Sequence, residues 1–331
     1  MGSRFLFVLV VLCAFFAAIP LSAQNREVRI TAFAGASNWP LWVGQQKNFF
    51  ALHNLDIYLD ITPNSIEMAK NLHQGRYNIA FSSVDNIVAY DEGQGEAKIE
   101  GQTDFVAFFG VDNGLLYVMA QPEITNFSDL KGKRVSVDAL TTGYSFVLRA
   151  VLKLKNIDFN EVEWVKVGGG AQRFDALLKK EQDVTLLNSP LDLAAEARGI
   201  KRLLSVQQEL GAYQGIVAAT TRAQLAEKPD LFLRFIKGFH QSIQWLVDPA
   251  HKEEALSILS AYMPTMQRSA AEKAYAVLLD EKNGLYRDMK INREGMKTVL
   301  QLRSNYGVPT KVLVNPERYI DETLLEQALR P

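Results

Sequence analysis

The chain has 331 residues, 48% of them hydrophobic and 22% charged, with a formal net charge of −1. That length suits two domains or one bilobal unit with sizeable cores. The balanced, well-mixed charge argues against a nucleic-acid partner or an anionic membrane surface.

In chain order the first feature is MGSRFLFVLVVLCAFFAAIPLSA, residues 1–23. Arg4 is its only charge, an apolar run extends from Phe5 to Ile19, Pro20 breaks the run, and the small pair Ser22-Ala23 closes it. This is the pattern of a cleaved secretory signal peptide. The apolar run is about 15 residues, shorter than the roughly 20 needed to span a bilayer. Cys13 is the only cysteine and lies inside the run, preceded by Val10-Val11-Leu12 rather than the small residues that lipid attachment needs. The expected product is a periplasmic protein without a lipid anchor. It has no thiol for disulfides or cysteine catalysis.

The next segments alternate. Strands are predicted at 28–33, 55–61, 78–81 and 105–111, with helices at 39–50, 65–72 and from about Ser83. Leu55, Ile57, Leu59 and Ile61 alternate with more polar residues, as in a half-exposed strand. After Pro122 the alternation restarts with strands at 133–137, 162–167 and 184–187 and helices at 143–155 and 172–179. Beyond Gly215 helical spacing dominates, over a helix opening at Pro229 and others at 253–262, 270–279 and 293–306. Alternating strands and helices predict an α/β fold with largely parallel sheet. Segments 72–83 and 177–188 repeat the order helix end, turn, strand, polar loop at equal spacing, which suggests two lobes of similar plan.

Catalytic and metal motifs are absent. His53, His73, His240 and His251 form no HExxH or other close ligand pair. Gly143-Tyr144-Ser145 is not a GxSxG elbow, and Gly168-Gly169-Gly170 lacks the P-loop Lys-Ser/Thr. That glycine run reads either as a flexible strand-to-helix turn or as a place of close backbone approach to a ligand. No metal, cofactor or catalytic residue is expected.

Four polar loops between strand and helix remain. They contain Ser37, Asn38 and Trp39; Ser82, Ser83 and Asp85; Thr141, Thr142, Gly143 and Tyr144; and Asn188. Ser37 or Asn38 can cap the helix opening at Pro40. Free N–H groups at helix starts attract a carboxylate, sulfonate or phosphate. Asp112 and Asn113, after the strand at 105–111, are further candidates. The aromatics Trp39, Trp42, Tyr144 and Tyr213 either wall an apolar or planar ligand or pack in the core. The expected ligand is a small anionic or planar solute.

Several runs together carry a family resemblance. They are Trp39-Pro40-Leu41-Trp42 with Lys47-Asn48-Phe49-Phe50, the segment 72–83, Leu130-Lys131-Gly132-Lys133-Arg134-Val135, Gly143, and Ala176-Leu177-Leu178 through Pro190. With them the chain resembles the SsuA/THI5-like, NMT1-like group of periplasmic solute-binding proteins, which serve importers of nitrate, sulfonates and pyrimidines. Asn78, Lys180 and Gln46 depart from the group's usual Asp, Gly and Ala, which bears on ligand subclass rather than fold. The resemblance implies a type II periplasmic-binding-protein fold, two α/β lobes with two crossovers and a helical C-terminal region. Lobe 1 would hold residues 24–118 and 218–331 and lobe 2 residues 119–217, with crossovers near 118–121 and 213–218. It further implies a monomer that captures its solute by hinge closure and hands it to an ABC permease and ATPase complex. An enzyme on the same fold, pyrimidine-synthase-like or chorismate-dehydratase-like, and a sensor partner that presents its ligand are the alternatives.

Overall fold

The structure, a computed structural model, describes residues 26–330. The leader at 1–23, with Cys13, lies outside the described residues. Strand β1 (Glu27–Ala32) is followed by α1 (Trp39–Gln46), a one-turn α2 (Phe49–Leu52), β2 (Asp56–Ile61), α3 (Ser65–His73), β3 (Ile79–Ser83) and α4 (Val84–Asp91). Next come β4 (Phe105–Gly110), β5 (Leu116–Ala120), β6 (Arg134–Val137), α5 (Gly143–Leu154), β7 (Glu163–Lys166), α6 (Gly170–Leu178), β8 (Val184–Asn188) and α7 (Leu191–Glu196). After β9 (Lys201–Ser205), α8 (Val206–Leu210) and β10 (Ile216–Thr221) the chain is helical: α9 (Arg222–Glu227), α10 (Pro229–Val247), α11 (Lys252–Tyr262), α12 (Arg268–Leu278), α13 (Arg293–Tyr306) and α14 (Thr323–Ala328). Among the described residues no helix is long and apolar enough to cross a membrane.

The strands form two five-stranded sheets of one plan, β2-β1-β3-β10-β4 and β7-β6-β8-β5-β9. The first three strands of each are parallel, and the fourth, β10 or β5, runs antiparallel to both neighbours. This corrects the expectation of largely parallel sheet at one strand per lobe. The reason is topological. β1 and β3 end at the cleft between the lobes, whereas β10 and β5 arrive from the opposite lobe and begin there, so they must run the other way. Strands β5, β9 and β10 were not among the predicted elements. The crossings occupy 111–115 and 211–215, α8 being packed on α5, β5 and β9, so residues 118–121 and 216–218 already belong to, or directly follow, the receiving strands. Segments 72–83 and 177–188 end in β3 and β8, which hold the same third place in their sheets.

Period-two burial explains how each sheet is covered. In β10, Ile216 and Ala218 face the cluster built on α10 residues Phe232, Phe235, Ile236 and Phe239. Val217 and Ala219 face the opposite cluster with Val84, Ile87 and Val88 of α4. The edge strand β2 keeps the half-exposed pattern read from its alternation. The helix predicted over 39–50 is broken at Lys47-Asn48, where Asn48 takes a left-handed φ of 59°. That turn brings Phe50 against Phe235, ring centroids 5.3 Å apart, and over Gly44, whose absent Cβ would lie 2.3 Å from the Phe50 ring. Helix α13 packs on α4 of the first lobe and on α5 of the second, so it closes the back of the cleft.

Candidate functional site

The starts of four helices converge between the lobes. They are the segment leading into α1, α4 after Ser83, α5 after Thr142 and α6 after Gly169. In none does a side chain cap the exposed N–H groups. The expected cap by Ser37 or Asn38 does not form. Asn38 turns its amide instead to the Phe33 carbonyl at 2.8 Å. The helix starts enclose a cavity of about 50 Å3 walled by Phe33, Ala34 and Ser37, by Ser83, Asp85 and Asn86, by Asp138, Thr142, Gly143 and Tyr144, and by Gly169, Gly170, Arg173, Asn188 and Ile216. A buried water needs roughly 10–15 Å3 by the same measure, so about four water-sized groups fit in this conformation.

Of the sequence candidates, Ser37, Ser83, Asp85, Thr142, Gly143, Tyr144 and Asn188 line this cavity. The others do not, each for a visible reason. Trp39 is fully buried, donates Nε1–H to the Ala255 carbonyl and meets Tyr275 edge-on, so it is core. Trp42 stacks on Tyr262, centroids 4.8 Å apart, and faces a neighbouring groove. Ser82 is fully buried in β3 and accepts from Asn86 Nδ2. Asp112 takes hydrogen bonds from the backbone N–H of Gly114 and of Ile216 and so ties the first crossing to β10. Burial pushes its carboxyl up to about 6. Asn113 accepts from Leu115 N–H in the same crossing. Thr141 bonds Glu96, and Tyr213 is buried in the core.

Two residues that sequence reasoning missed dominate the cavity's electrostatics. Arg173 is 2% exposed and donates Nη1–H to the Gly168 carbonyl at 2.6 Å and Nη2–H to the Leu186 carbonyl at 3.1 Å. Its Nε has no partner, and no carboxylate lies within ion-pair distance among the described residues. Burial holds its guanidinium below the usual arginine range, while Asp138 and Tyr144 pull the other way. The second residue is Asp138, whose Oδ2 accepts from Ser65 Oγ at 2.7 Å across the cleft. A signal for Arg173 exists in the sequence: it shares one stripe of α6 with Phe174 and Leu177, both buried. Tyr144 stands with its ring 5.7 Å from the Arg173 guanidinium, and burial, then Asp112, raises its phenol.

Glycine sets the depth of the cavity. A Cβ on Gly143 would sit 2.3 Å from Asp85 Cγ, so only glycine lets α5 approach α4. The lobes are drawn together by Ser65 on Asp138, by Glu96 on Thr141 and Lys166, and by Gly169 N–H on the Pro63 carbonyl.

Residues 36–255 match the family described as NMT1/THI5 like. The chain belongs to that family. No curated protein matches it in sequence. This NMT1/THI5-like chain superimposes on a protein from Bordetella bronchiseptica RB50 with a TM-score of 0.75 at 17% identity, over 91% of this chain and 96% of that one. It is similar to the periplasmic nitrate-binding protein NrtA from Synechocystis PCC 6803, with a TM-score of 0.75 at 12% identity over 92% and 89%. It is also similar to the periplasmic aliphatic sulphonate binding protein SsuA from Escherichia coli, with a TM-score of 0.65 at 15% identity over 91% and 99%. At such identities the likeness establishes the fold, the two-lobe α/β architecture of periplasmic binding proteins.

Proposed function

We propose that this NMT1/THI5-like protein is the exported solute-binding component of an ABC importer, and that its solute carries an anionic group held between the lobes. Arg173 carries this reading. A guanidinium that is buried on a cavity wall, has no ion-pair partner and leaves its Nε–H unpartnered is costly unless something negative completes it. The uncapped starts of α1, α5 and α6 add backbone N–H groups and helix dipoles of the same sign. No described residue is a cysteine, so thiol chemistry on this fold is not part of the proposal. The solute would touch both lobes and so favour the closed state by its differential affinity for it. In this reading the lobes hinge about the two crossings, the protein acts as a periplasmic monomer released at Ala23, and the closed form docks on a permease and its ATPase. The structural relatives named for nitrate and sulphonate support the anion assignment by analogy of fold.

The test is a thermal-shift panel on the chain from Gln24, with nitrate, sulfonates, aromatic carboxylates and pyrimidines. A ligand at 100 times its Kd should stabilise the protein by about 2.7 kcal/mol. Stabilisation by uncharged sugars or polyamines alone would reject the reading.

A further inference from the structure

Helices α11 and α12 form a hairpin anchored on the first lobe. α11 packs on α1. Trp39 donates Nε1–H to the Ala255 carbonyl, Trp42 stacks on Tyr262, and Lys47 pairs with Glu254 at 2.8 Å.

The same hairpin reaches the second lobe. α12 packs on α7, and Leu193 of α7 lies in the apolar cluster of Leu256, Leu259, Ala270 and Ala274. In return Met263, at the turn of the hairpin, packs against the cluster that holds Phe174, Leu191 and Ala194. Arg198 Nη2–H donates to the Thr265 carbonyl at 2.9 Å. Open grooves flank this contact. One of about 460 Å3 lies at Trp42, Phe174 and Met263, and one of about 600 Å3 lies between Glu196 and Lys201 on one bank and Ser269 and Lys273 on the other. The hairpin and the second lobe therefore touch along a narrow ridge. A small contact between domains parts readily, unlike a large apolar one.

Helix α7 ties this ridge to the cavity. It begins at Leu191, just past the cavity residue Asn188. Between them, Ser189 N–H donates to the carbonyl of Leu115, a member of the hairpin's cluster, and Ser189 Oγ–H donates to Asp192 Oδ1. Arg202 holds the other Asp192 oxygen. The cavity wall and the gripped face of α7 are thus joined by one short hydrogen-bonded turn.

We propose that the α11–α12 hairpin is a latch: it travels with the first lobe, grips α7 through Leu193, Met263 and Arg198 when the lobes are together, and releases it when they part. This rests on the hinge motion proposed above and adds the contact that holds the closed form. Solute at the cavity wall and the latch on α7 favour the same state, so each strengthens the other.

The test uses the absence of cysteine from the chain after Gln24, which leaves introduced thiols as the only sites for spin labels. Ser257 on α11, Lys179 after α6 and Lys237 on α10 are exposed. Electron–electron resonance distances are measured without ligand in Ser257→Cys with Lys179→Cys, across the ridge, and in Ser257→Cys with Lys237→Cys, within the first lobe. Adding Met263→Ser and Arg198→Ala, both at the surface of the ridge, should raise the share of a longer distance in the first pair several-fold and leave the second unchanged. Met263→Leu, which keeps the apolar grip, should retain the parent distribution. Arg198→Ala alone should give a smaller shift in the same direction. No change in the first pair, or lengthening in the second pair instead, overturns the latch. The thermal-shift panel reads no distance, so the solute-binding reading stands or falls apart from this result.

Discussion

Arg303 and Asp85, 218 residues apart in the chain, meet as a fully buried bidentate pair, Nε to Oδ1 and Nη2 to Oδ2 both at 2.7 Å. Nη2 also donates to the Thr141 carbonyl of the second lobe at 2.8 Å, and Nη1 to Gln94 Oε1 at 3.2 Å. The guanidinium lies 5.0 Å from the Phe146 ring of α5. Asp85 is on the cavity wall, so helix α13 sets the position of a cavity carboxylate and joins the two lobes behind it.

Removing one member of this pair should be far worse than removing both. Arg303→Met leaves a buried carboxylate without a partner and should cost on the order of 3–5 kcal/mol, whereas an apolar replacement of both partners should recover most of the loss. Urea denaturation of the single and double variants measures the difference. Equal destabilisation by Arg303→Met and by the double variant would mean that the charge of Asp85 is not what Arg303 serves.

Arg173 should behave in the opposite way. Arg173→Met removes a buried cation that has no carboxylate partner, so the ligand-free protein should lose only the two hydrogen bonds to the Gly168 and Leu186 carbonyls, about 1–3 kcal/mol in all. Affinity for the anionic solute should fall by on the order of 2–5 kcal/mol, the range for truncating a buried charge contact. Titration of the variant beside a melting curve without ligand separates the two effects.

Asp112 should make stability depend on pH. Its folded carboxyl titrates at about 6, above the usual value of 3.8, because burial disfavours the charge. The folded state therefore holds a proton that the unfolded chain has released. The contribution is fully present below the unfolded pKa and is lost as pH rises through about 6. At about 1.36 kcal/mol per pKa unit the loss is on the order of 3 kcal/mol. Asp112→Asn keeps an Oδ1 acceptor for Gly114 and Ile216 and cannot titrate. The stability difference between parent and variant should shift by that amount between pH 4 and pH 7, in the direction that favours the parent in acid.

Glu96 spans the mouth of the cleft, bonded to Thr141 Oγ1 and to Lys166 Nζ, both at 2.7 Å. Lys166 is largely exposed, so this pair is worth little to folding. Both contacts exist only when the lobes are together. Glu96→Ala should leave the unfolding midpoint nearly unchanged and enlarge the ligand-free radius of gyration in solution scattering. Affinity should drop a few-fold as the closed state loses population. An unchanged radius and an unchanged Kd would show that these contacts do not bias closure.

The α/β class, most strands and the polar loops were legible in the sequence because hydrophobic period and turn chemistry are local properties. Val147, Leu148, Val151 and Leu152 announce α5, and its start at Gly143 was read correctly. For Trp39 the sequence leaves ligand wall and core packing both open, because an indole beside a proline looks the same whether it faces solute or core. Only the packing of Ala255 and Tyr275, more than 200 residues away, decides between them. Strands β5 and β10 were missed because their direction and pairing depend on which lobe the chain has just left.

By itself the sequence determined that strands alternate with helices in two similar halves and that polar loops precede the helices. Tertiary structure decided which loops share a cavity, since that depends on strand order. It also decided the meaning of two arginines on apolar stripes. Arg303 follows Met296, Val299 and Leu300 on α13, as Arg173 sits among buried residues on α6, and in sequence the two look alike. A buried charge is defined by its neighbours in space. Arg303 meets Asp85 and becomes part of the frame, while Arg173 hydrogen-bonds only backbone carbonyls and lies against the Tyr144 ring on the cavity wall.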